Sequence, residues 1–205
     1  MRAPLPRLVV ATGNPGKLRE FSALLAGLAT ELIPQSAFGI SAPVESAPTF
    51  AGNALAKARH AARAAAAAAL ADDSGLEVDA LGGAPGVHSA RYAGPDADAA
   101  RNTAKLLAAL ADVPEPRRAR FRCALALVRT ADDPQPLIVE GCWEGRIARA
   151  PRGTGGFGYD PVFLVGAGDV TAAELAPELK NSTSHRAQAL ARLRAALLER
   201  ELAGG

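Results

Sequence analysis

The sequence predicts an α/β (mixed α+β) protein in which helices surround a mixed sheet. A short apolar run at residues 8–11 ends at Gly-Asn-Pro-Gly (13–16), which is typical of a buried strand entering a tight loop. Two longer segments, 119–129 and 137–148, flank the turn residues Asp-Asp-Pro and predict an antiparallel pair of strands. The chain of 205 residues, 49% of them hydrophobic, is long enough for one large domain or two small lobes with a sizeable core.

Each element follows from a local pattern. After the first strand, leucine and phenylalanine recur at helical spacing, and an alanine-rich segment later has high helix propensity. In the first half we predict, in order, a strand at 8–11, a helix after residue 16, a strand at 30–34, a loop at 39–48, a helix at 53–69 and a very short strand at 70–71. In the second half we predict a loop at 82–95, a helix at 96–111, the antiparallel pair, a glycine-rich loop at 153–161, a strand at 162–165, a helix at 171–175 and a final amphipathic helix capped by Ser184.

Composition and charge exclude several classes of protein. Acidic and basic residues are interspersed and the net charge is +2, so the chain lacks the basic stripe of a nucleic-acid-binding protein. Two cysteines are too few for a disulfide scaffold and fit a reducing compartment. No segment has the apolar length of a signal peptide or of a membrane span. We therefore expect a cytoplasmic protein that binds neither nucleic acid nor membrane.

The first motif joins the first strand to the following helix. Its sequence, Thr-Gly-Asn-Pro-Gly-Lys (12–17), combines glycines, a helix N-terminus and the charge of Lys17, all of which favour an anion. It is not a Walker A loop, because only two residues separate its glycines and Leu18 follows the lysine. An ordinary strand–helix turn with a surface lysine is the alternative interpretation.

The second motif is the acidic pair Asp72 and Asp73, followed by Ser74 and Gly75. Adjacent carboxylates repel each other unless a cation neutralises them, and Mg²⁺ is the usual cation beside phosphates. One of these carboxylates could then act as a general base toward water. Asp, Ser and Gly are also turn formers, so a solvated turn is the alternative. The apolar strand that precedes the pair favours function, and the chain lacks a Gly-x-Ser-x-Gly nucleophile motif.

Two later segments carry candidate binding groups. The glycine-rich loop contains Phe157, whose ring could stack on a base, and the acid Asp160. His185 and Arg186 offer hydrogen-bond donors at the start of the final helix, suited to a phosphate or a carbonyl oxygen. A loop anchored by its aromatic residues, and a capped helix with exposed basic residues, are the alternative interpretations of these two segments.

The order of these motifs resembles that of the inosine/xanthosine triphosphate pyrophosphatase family, whose members remove deaminated purine nucleotides from the nucleotide pool. The resemblance covers nearly the whole chain and is specific, because the motifs recur in order. The segments that carry it are TGNPGK (12–17), the residues at 49–50, 53–54 and 57–58, ADDSGL (71–76), GGAPGV (82–87), SARY (89–92), GGFGYDP (155–161) and SHR (184–186).

The resemblance implies a fold, a reaction and a set of site residues. It implies one domain over residues 1–205, with a long central mixed sheet, two α/β lobes that are not contiguous in sequence, a nucleotide cleft between them and a homodimer. It implies Mg²⁺-assisted hydrolysis of ITP, dITP or XTP to the monophosphate and pyrophosphate. The implied proton acceptor is Asp73, with Asp73 and Asp72 as metal ligands. The implied substrate-binding residues are Thr12, Gly13, Asn14, Pro15, Gly16, Lys17 and Lys57 for the triphosphate, then Ser74, and for the base Phe157, Gly158, Tyr159, Asp160, Lys180, His185 and Arg186.

The implied base selectivity has a physical reason. Inosine and xanthosine carry a 6-oxo group where adenine carries an amine, and donors such as His185 and Arg186 bond an oxo acceptor but not an amine donor. A mispaired buried donor costs roughly 1–3 kcal/mol, which corresponds to one to two orders of magnitude of discrimination against ATP. Guanine also has the 6-oxo group, so GTP must be rejected at the 2-position.

One position departs from the family pattern. The family usually has Phe-x-Glu-Asn-Ala, in which the glutamate is a metal ligand, and Gly52 stands at that place here. The loss predicts weaker Mg²⁺ binding that a Gly52→Glu substitution restores, with Glu45 or water as the replacing ligand. Two other functions stay open on the sequence alone: a pyrophosphatase of different base preference, as in the Maf-like enzymes, and a nucleotide-binding regulator without turnover.

Overall fold

The computed structural model describes residues 5–25 and 29–203. Within them the strands are β1 (Leu5–Ala11), β2 (Ala29–Pro34), β3 (Ala69–Val78), β4 (Arg118–Val128), β5 (Leu137–Ile147) and β6 (Phe163–Val165). The α-helices are α1 (Pro15–Leu24), α2 (Phe50–Ala65), α3 (Ala99–Ala109), α4 (Pro177–Thr183) and α5 (His185–Ala203). None of the described helices is long and apolar enough to cross a membrane.

The six strands form one mixed sheet in the order β2-β1-β3-β4-β5-β6. β1 pairs in parallel with β2 and with β3, whereas β5 and β6 are antiparallel. Parallel neighbours need a crossover, and α1 and α2 provide it between the first three strands. The predicted mixed α/β fold is confirmed.

The chain forms two compact units. Unit 1 comprises Met1–Asp73, Cys123–Gly141 and Arg186–Gly205, and unit 2 comprises Ser74–Arg122 and Cys142–His185. In unit 1, apolar residues of β1, β3, β4 and α5 form a core with Phe21 and Leu25. In unit 2, a second core gathers Leu76, Leu106, Trp143, Phe163 and neighbouring apolar residues.

Several predicted boundaries were wrong. β3 is ten residues long and contains Asp72 to Gly75, which were predicted to follow a very short strand. α2 begins at Phe50 and ends at Ala65, because Thr49 Oγ1 caps it and Ala66 adopts a left-handed conformation (φ 47°). Residues 171–175 form a turn, not the predicted helix, and α4 was not predicted.

Candidate active site

The acidic pair lies in β3 within unit 1. Asp72 and Asp73 are buried, with 2% and 5% of their surface exposed. Successive side chains of a strand point to opposite faces, and the two carboxylates accordingly have different partners. Lys17 Nζ lies 2.7 Å from Asp72 Oδ2, and Lys57 Nζ lies 2.8 Å from Asp73 Oδ1. Each carboxylate therefore has its own lysine partner, and in the free protein these two lysines offset the repulsion between the carboxylates.

The two carboxylates differ in proton affinity. Burial alone would raise the pKa of Asp72, but Lys17, then Arg186 and Lys57, outweigh it and lower this pKa to about 2. For Asp73, burial and the charge of Glu45 together outweigh Lys57, so its pKa is raised above that of an ordinary aspartate. Burial lowers the pKa of Lys57, but the surrounding carboxylates raise it by a larger amount. The pKa of Lys57 is therefore above its ordinary value. Asp72 thus stays ionised, while Asp73 is the better proton acceptor.

The loop between β1 and α1 uses its own groups to cap the helix. Asn14 Oδ1 accepts hydrogen bonds from Gly16 N at 2.8 Å and Lys17 N at 3.1 Å, and Thr12 Oγ1 accepts from Asn14 N at 3.2 Å. Three backbone N–H groups of the predicted anion-binding motif are therefore engaged within the protein. Pro15 is the first residue of α1, and its side chain lies outside what the structure describes. The charged group of this loop is the ammonium group of Lys17, which is paired with Asp72.

Arg186 joins the same cluster. Its Nη1 lies 2.9 Å from Glu20 Oε2, and its Nε lies 3.8 Å from Asp72 Oδ2. The residue is only 4% exposed, so the alternative of an exposed basic residue is wrong. The resemblance grouped Arg186 with the base-binding residues, but in the free protein its ion pairs lie with the acidic pair in unit 1.

A segment that precedes α2 brings a further carboxylate to the cluster. We call residues 41–48 the strap. Lys57 Nζ lies 3.0 Å from Glu45 Oε1 as well as 2.8 Å from Asp73 Oδ1, so one ammonium group joins both carboxylates. Asn53 Oδ1 accepts from Ala47 N at 3.0 Å, while its Nδ2 donates to Asp73 Oδ2 at 3.2 Å. The strap and Asp73, the candidate base, therefore both bind to the same face of α2.

Gly52, which stands where the family pattern has a metal-binding glutamate, lies against the strap. Gly52 N donates to Thr49 Oγ1 at 3.1 Å, at the start of α2. A Cβ atom built on Gly52 would lie 2.8 Å from Ala47 Cβ and 3.1 Å from Thr49 Oγ1. A side chain at position 52 would thus begin against the strap, whereas Glu45 already reaches Lys57. The restoration of Mg²⁺ binding expected for Gly52→Glu would therefore require the strap to move.

The glycine-rich loop forms a separate cluster in unit 2. Asp160 Oδ2 accepts a hydrogen bond from Phe157 N at 2.8 Å and pairs with Lys180 Nζ at 2.7 Å. Lys180 Nζ also lies 5.0 Å from the centroid of the Phe157 ring. Gly156 (φ 71°) allows the turn, and a Cβ atom on it would lie 2.1 Å from Asp160 Oδ2. An aromatic face and a buried ammonium group are thus held side by side.

Other predicted residues of unit 2 have structural partners. The Tyr159 hydroxyl donates to the Ser89 carbonyl oxygen at 2.8 Å, and burial raises the pKa of Tyr159. His185 is 2% exposed, and its ring stacks on Phe121 (centroids 4.9 Å apart) and lies 6.3 Å from Trp143. Gly158 adopts φ 62°, and Ser74 is half-buried in β3 directly after Asp73.

Sequence reasoning missed four residues that support these clusters. Glu20 lies three residues after Lys17 and Asn53 lies four residues before Lys57, and this helical spacing was the available signal. Phe121 and Trp143 orient the His185 ring, and no local pattern connects them to it. Among the described residues, no three His, Cys, Asp or Glu side chains group closely enough to hold a metal ion by themselves.

The chain is similar to known proteins over nearly its whole length. The sequence model of the Ham1 family matches residues 8–196. A dITP/XTP pyrophosphatase of Xylella fastidiosa is 57% identical over 191 residues, covering 93% of this chain and 96% of that protein. One of Methylococcus capsulatus is 56% identical and covers 97% of this chain and 98% of that protein.

Solved structures give the same result. A HAM1 protein from Coxiella burnetii has a TM-score of 0.87 at 49% identity, covering 95% of this chain and 100% of that one. A nucleoside-triphosphatase described as a dITP/XTP pyrophosphatase, from Mycobacterium abscessus, has a TM-score of 0.74 at 47% identity, covering 91% of this chain and 98% of that one.

Proposed function

Because this chain belongs to the Ham1 family, we propose that it is a nucleoside-triphosphate pyrophosphatase that hydrolyses the non-standard purine nucleotides ITP, dITP and XTP. The products are the nucleoside monophosphate and pyrophosphate. Relatives that are more than half identical over nearly their whole length are dITP/XTP pyrophosphatases. Since those relatives span almost all of this chain, the proposal concerns the chain as a whole.

The observation that carries the proposal is the buried acidic pair with its separate lysines. Lys17 and Lys57 hold the carboxylates of Asp72 and Asp73 at 2.7 and 2.8 Å in the free protein. Ammonium groups are phosphate ligands as well as carboxylate partners. A triphosphate that competes for Lys17 and Lys57 therefore leaves buried carboxylates that need another cation.

The donor set fits Mg²⁺ as that cation. The ion pairs of this cluster join four carboxylates, those of Glu20, Glu45, Asp72 and Asp73, to three cationic side chains. Mg²⁺ prefers oxygen ligands and is usually bound by one or two carboxylates together with substrate phosphates and water. We propose that Asp72 and Asp73 hold it, with water and substrate phosphates completing the coordination, and that Glu45, rather than a side chain at position 52, is the acidic group beside this site. When bound, the metal ion would neutralise charge on the phosphates.

The residues of the chain then account for the hydrolysis. Asp73 accepts a proton from a water molecule, whose oxygen forms a bond to the α-phosphorus. The bond between the α-phosphorus and the bridging oxygen breaks, and its electron pair leaves with pyrophosphate. Lys17 and Lys57 bind phosphate oxygens, with Thr12 to Gly16 shaping the loop beside them. Asp73 suits the role of base because burial and Glu45 raise its pKa above that of an ordinary aspartate.

Base recognition is assigned to the cluster in unit 2. A purine stacks on Phe157, and the Lys180 ammonium group, a donor without acceptor capacity, bonds the 6-oxo group. Gly158, Tyr159 and Asp160 form the surrounding loop. His185, Arg186 and Ser74 complete the substrate-binding set that we propose. A 6-amino group would place donor against donor at Lys180, which disfavours ATP.

Two further properties are proposed on the resemblance alone. We expect a homodimer, which multi-angle light scattering would detect as twice the 20.9 kDa chain mass. We expect the protein to act in the cytoplasm, where the nucleotide pool is. Cell fractionation would test this expectation.

A substrate panel tests the proposed function. Pyrophosphate release is measured with ITP, dITP, XTP, GTP, ATP, dTTP and UTP in the presence of Mg²⁺. We expect the highest kcat/KM with the first three nucleotides. Preference for dTTP or UTP would instead indicate a Maf-like specificity. Tight ITP binding without turnover would indicate a nucleotide-binding regulator.

A further inference from the structure

We propose that Gly52 is a positioning residue for the metal-binding side of the active site. Because it has no side chain, it lets the strap lie against α2, so that Glu45 stands beside Asp73 at Lys57. This inference rests on the proposed function only for its catalytic consequence. The position of the strap itself can be tested in the nucleotide-free protein.

The clearance between helix and strap is the first observation. A Cβ atom on Gly52 would lie 2.8 Å from Ala47 Cβ, a distance shorter than van der Waals contact. Gly52 lies within α2, so it is not required for an unusual backbone conformation. Alanine would also favour the helix more than glycine does. The glycine is therefore explained by the space that the strap occupies.

The strap is fixed to one face of α2. His60 Nε2 lies 3.0 Å from the Ser41 carbonyl oxygen, Lys57 pairs with Glu45, and Asn53 accepts from Ala47 N. These helix residues are spaced by four and three positions, which places them along one stripe of the helix. The strap runs antiparallel to the helix. Its residues 41, 45 and 47 contact helix residues 60, 57 and 53, in that order.

Ala47 connects the steric conflict at position 52 to the hydrogen bonds of Asp73. Its Cβ would face the added atom at position 52, and its N–H donates to Asn53, whose amide also donates to Asp73. Asn53 is 1% exposed, so its amide has little freedom to follow a displaced strap. A displacement of Ala47 would therefore break its bond to Asn53 and move Glu45, two residues away, from Lys57.

Complementary substitutions isolate this steric effect. Gly52→Ala adds the conflicting methyl group, and Ala47→Gly removes the methyl group that it meets. The double variant Ala47→Gly/Gly52→Ala thus restores the clearance between helix and strap, while the contact of the new methyl group with Thr49 Oγ1 at 3.1 Å stays the same as in Gly52→Ala. All three variants are compared with the wild type.

Two measurements on the nucleotide-free protein read out the effect. Hydrogen–deuterium exchange of peptides covering residues 41–48 reports the Ala47 amide. Titration with Mn²⁺ alone, followed by electron paramagnetic resonance, reports the metal site. In Gly52→Ala we expect faster exchange in the strap and Mn²⁺ affinity lower by roughly tenfold or more. In the double variant we expect both to return toward wild-type values.

The outcomes separate this inference from the proposed function. The inference would be overturned if exchange in the strap were the same in Gly52→Ala as in the wild type. It would also be overturned if exchange in the double variant stayed as fast as in Gly52→Ala. Faster exchange with unchanged Mn²⁺ affinity would overturn the link from the strap to the metal site. A wild type that neither binds Mn²⁺ nor hydrolyses ITP would refute the proposed function, while the exchange result would still decide the position of the strap.

Discussion

At the scale of single residues, the active site is organised by which cation each carboxylate holds. Asp72 has Lys17 and Arg186 within 4 Å and keeps its charge to low pH, whereas Asp73 shares Lys57 with Glu45 and takes up a proton more readily. Two chemically identical neighbours in one strand are thus suited to different tasks. Asp72 keeps its negative charge to lower pH, and Asp73 suits the proposed role of base.

Asp73→Asn removes the proposed base without changing the shape of the side chain. We expect kcat for ITP hydrolysis to fall by roughly 10²–10⁴-fold, the usual contribution of a general base. Steady-state kinetics would measure it. Asp132→Asn is a matched control, because Asp132 is exposed and forms its ion pair with Arg63, which is also exposed. Activity of Asp73→Asn within a few-fold of wild type would contradict the assignment.

The lowered pKa of Asp72 makes the stability of the metal-free protein depend on pH. Its folded-state pKa of about 2 lies below the unfolded value, so its contribution is present above pH ~4 and is lost as the pH falls toward 2. The contribution is on the order of 2 kcal/mol. Urea unfolding of wild type and Asp72→Asn between pH 5 and about 2.5 should show a smaller loss of stability in the variant. An equal loss in both proteins would refute this prediction.

At the scale of secondary structure, sequence patterns predicted the elements better than their ends. The order of motifs brought Lys17, Lys57, Asp72 and Asp73 into one proposed site, and unit 1 places them together. The sequence did not reveal that Asp72 to Gly75 lie within a strand, because these residue types favour turns and only the neighbouring strands make them extended. Likewise, ion pairs such as Arg186 with Glu20 join residues far apart in sequence, which local spacing cannot predict.

The end of α2 gives a test at this scale. Alanine-rich sequence favours continuing the helix, but Ala66 turns into the left-handed region so that β3 can begin at Ala69 beside β1. Ala66→Gly should therefore raise the free energy of unfolding by about 1 kcal/mol. Ala64→Gly, at an exposed position inside the helix, should lower it by roughly 0.5–1 kcal/mol. Urea denaturation measures both, and a destabilising Ala66→Gly would contradict the assigned helix end.

At the scale of the whole molecule, the two units carry different chemistry. Unit 1 contains the acidic pair, its lysines and the strap, whereas unit 2 contains the glycine-rich loop with Phe157, Asp160 and Lys180. If unit 1 acts on phosphates and unit 2 on the base, substitutions in the two units should affect different kinetic quantities.

Substrate discrimination tests this division. Lys180→Met removes the proposed donor to the 6-oxo group, and Asp160→Asn is combined with it so that no buried carboxylate loses its partner. The ratio of kcat/KM for ITP over ATP should fall by roughly tenfold or more in this double variant. Lys17→Met, in unit 1, should lower kcat/KM for both nucleotides and leave the ratio nearly unchanged. An unchanged ratio in the double variant would remove Lys180 from base recognition.

In the proposed mechanism, water attacks the α-phosphorus with Asp73 as its base. Hydrolysis of ITP by the wild type in H₂¹⁸O with Mg²⁺, followed by mass spectrometry of the products, tests it most directly. We expect one ¹⁸O atom in IMP and none in pyrophosphate, with the rate of labelling greatly reduced in Asp73→Asn. Label in pyrophosphate, or formation of IDP and orthophosphate, would contradict it.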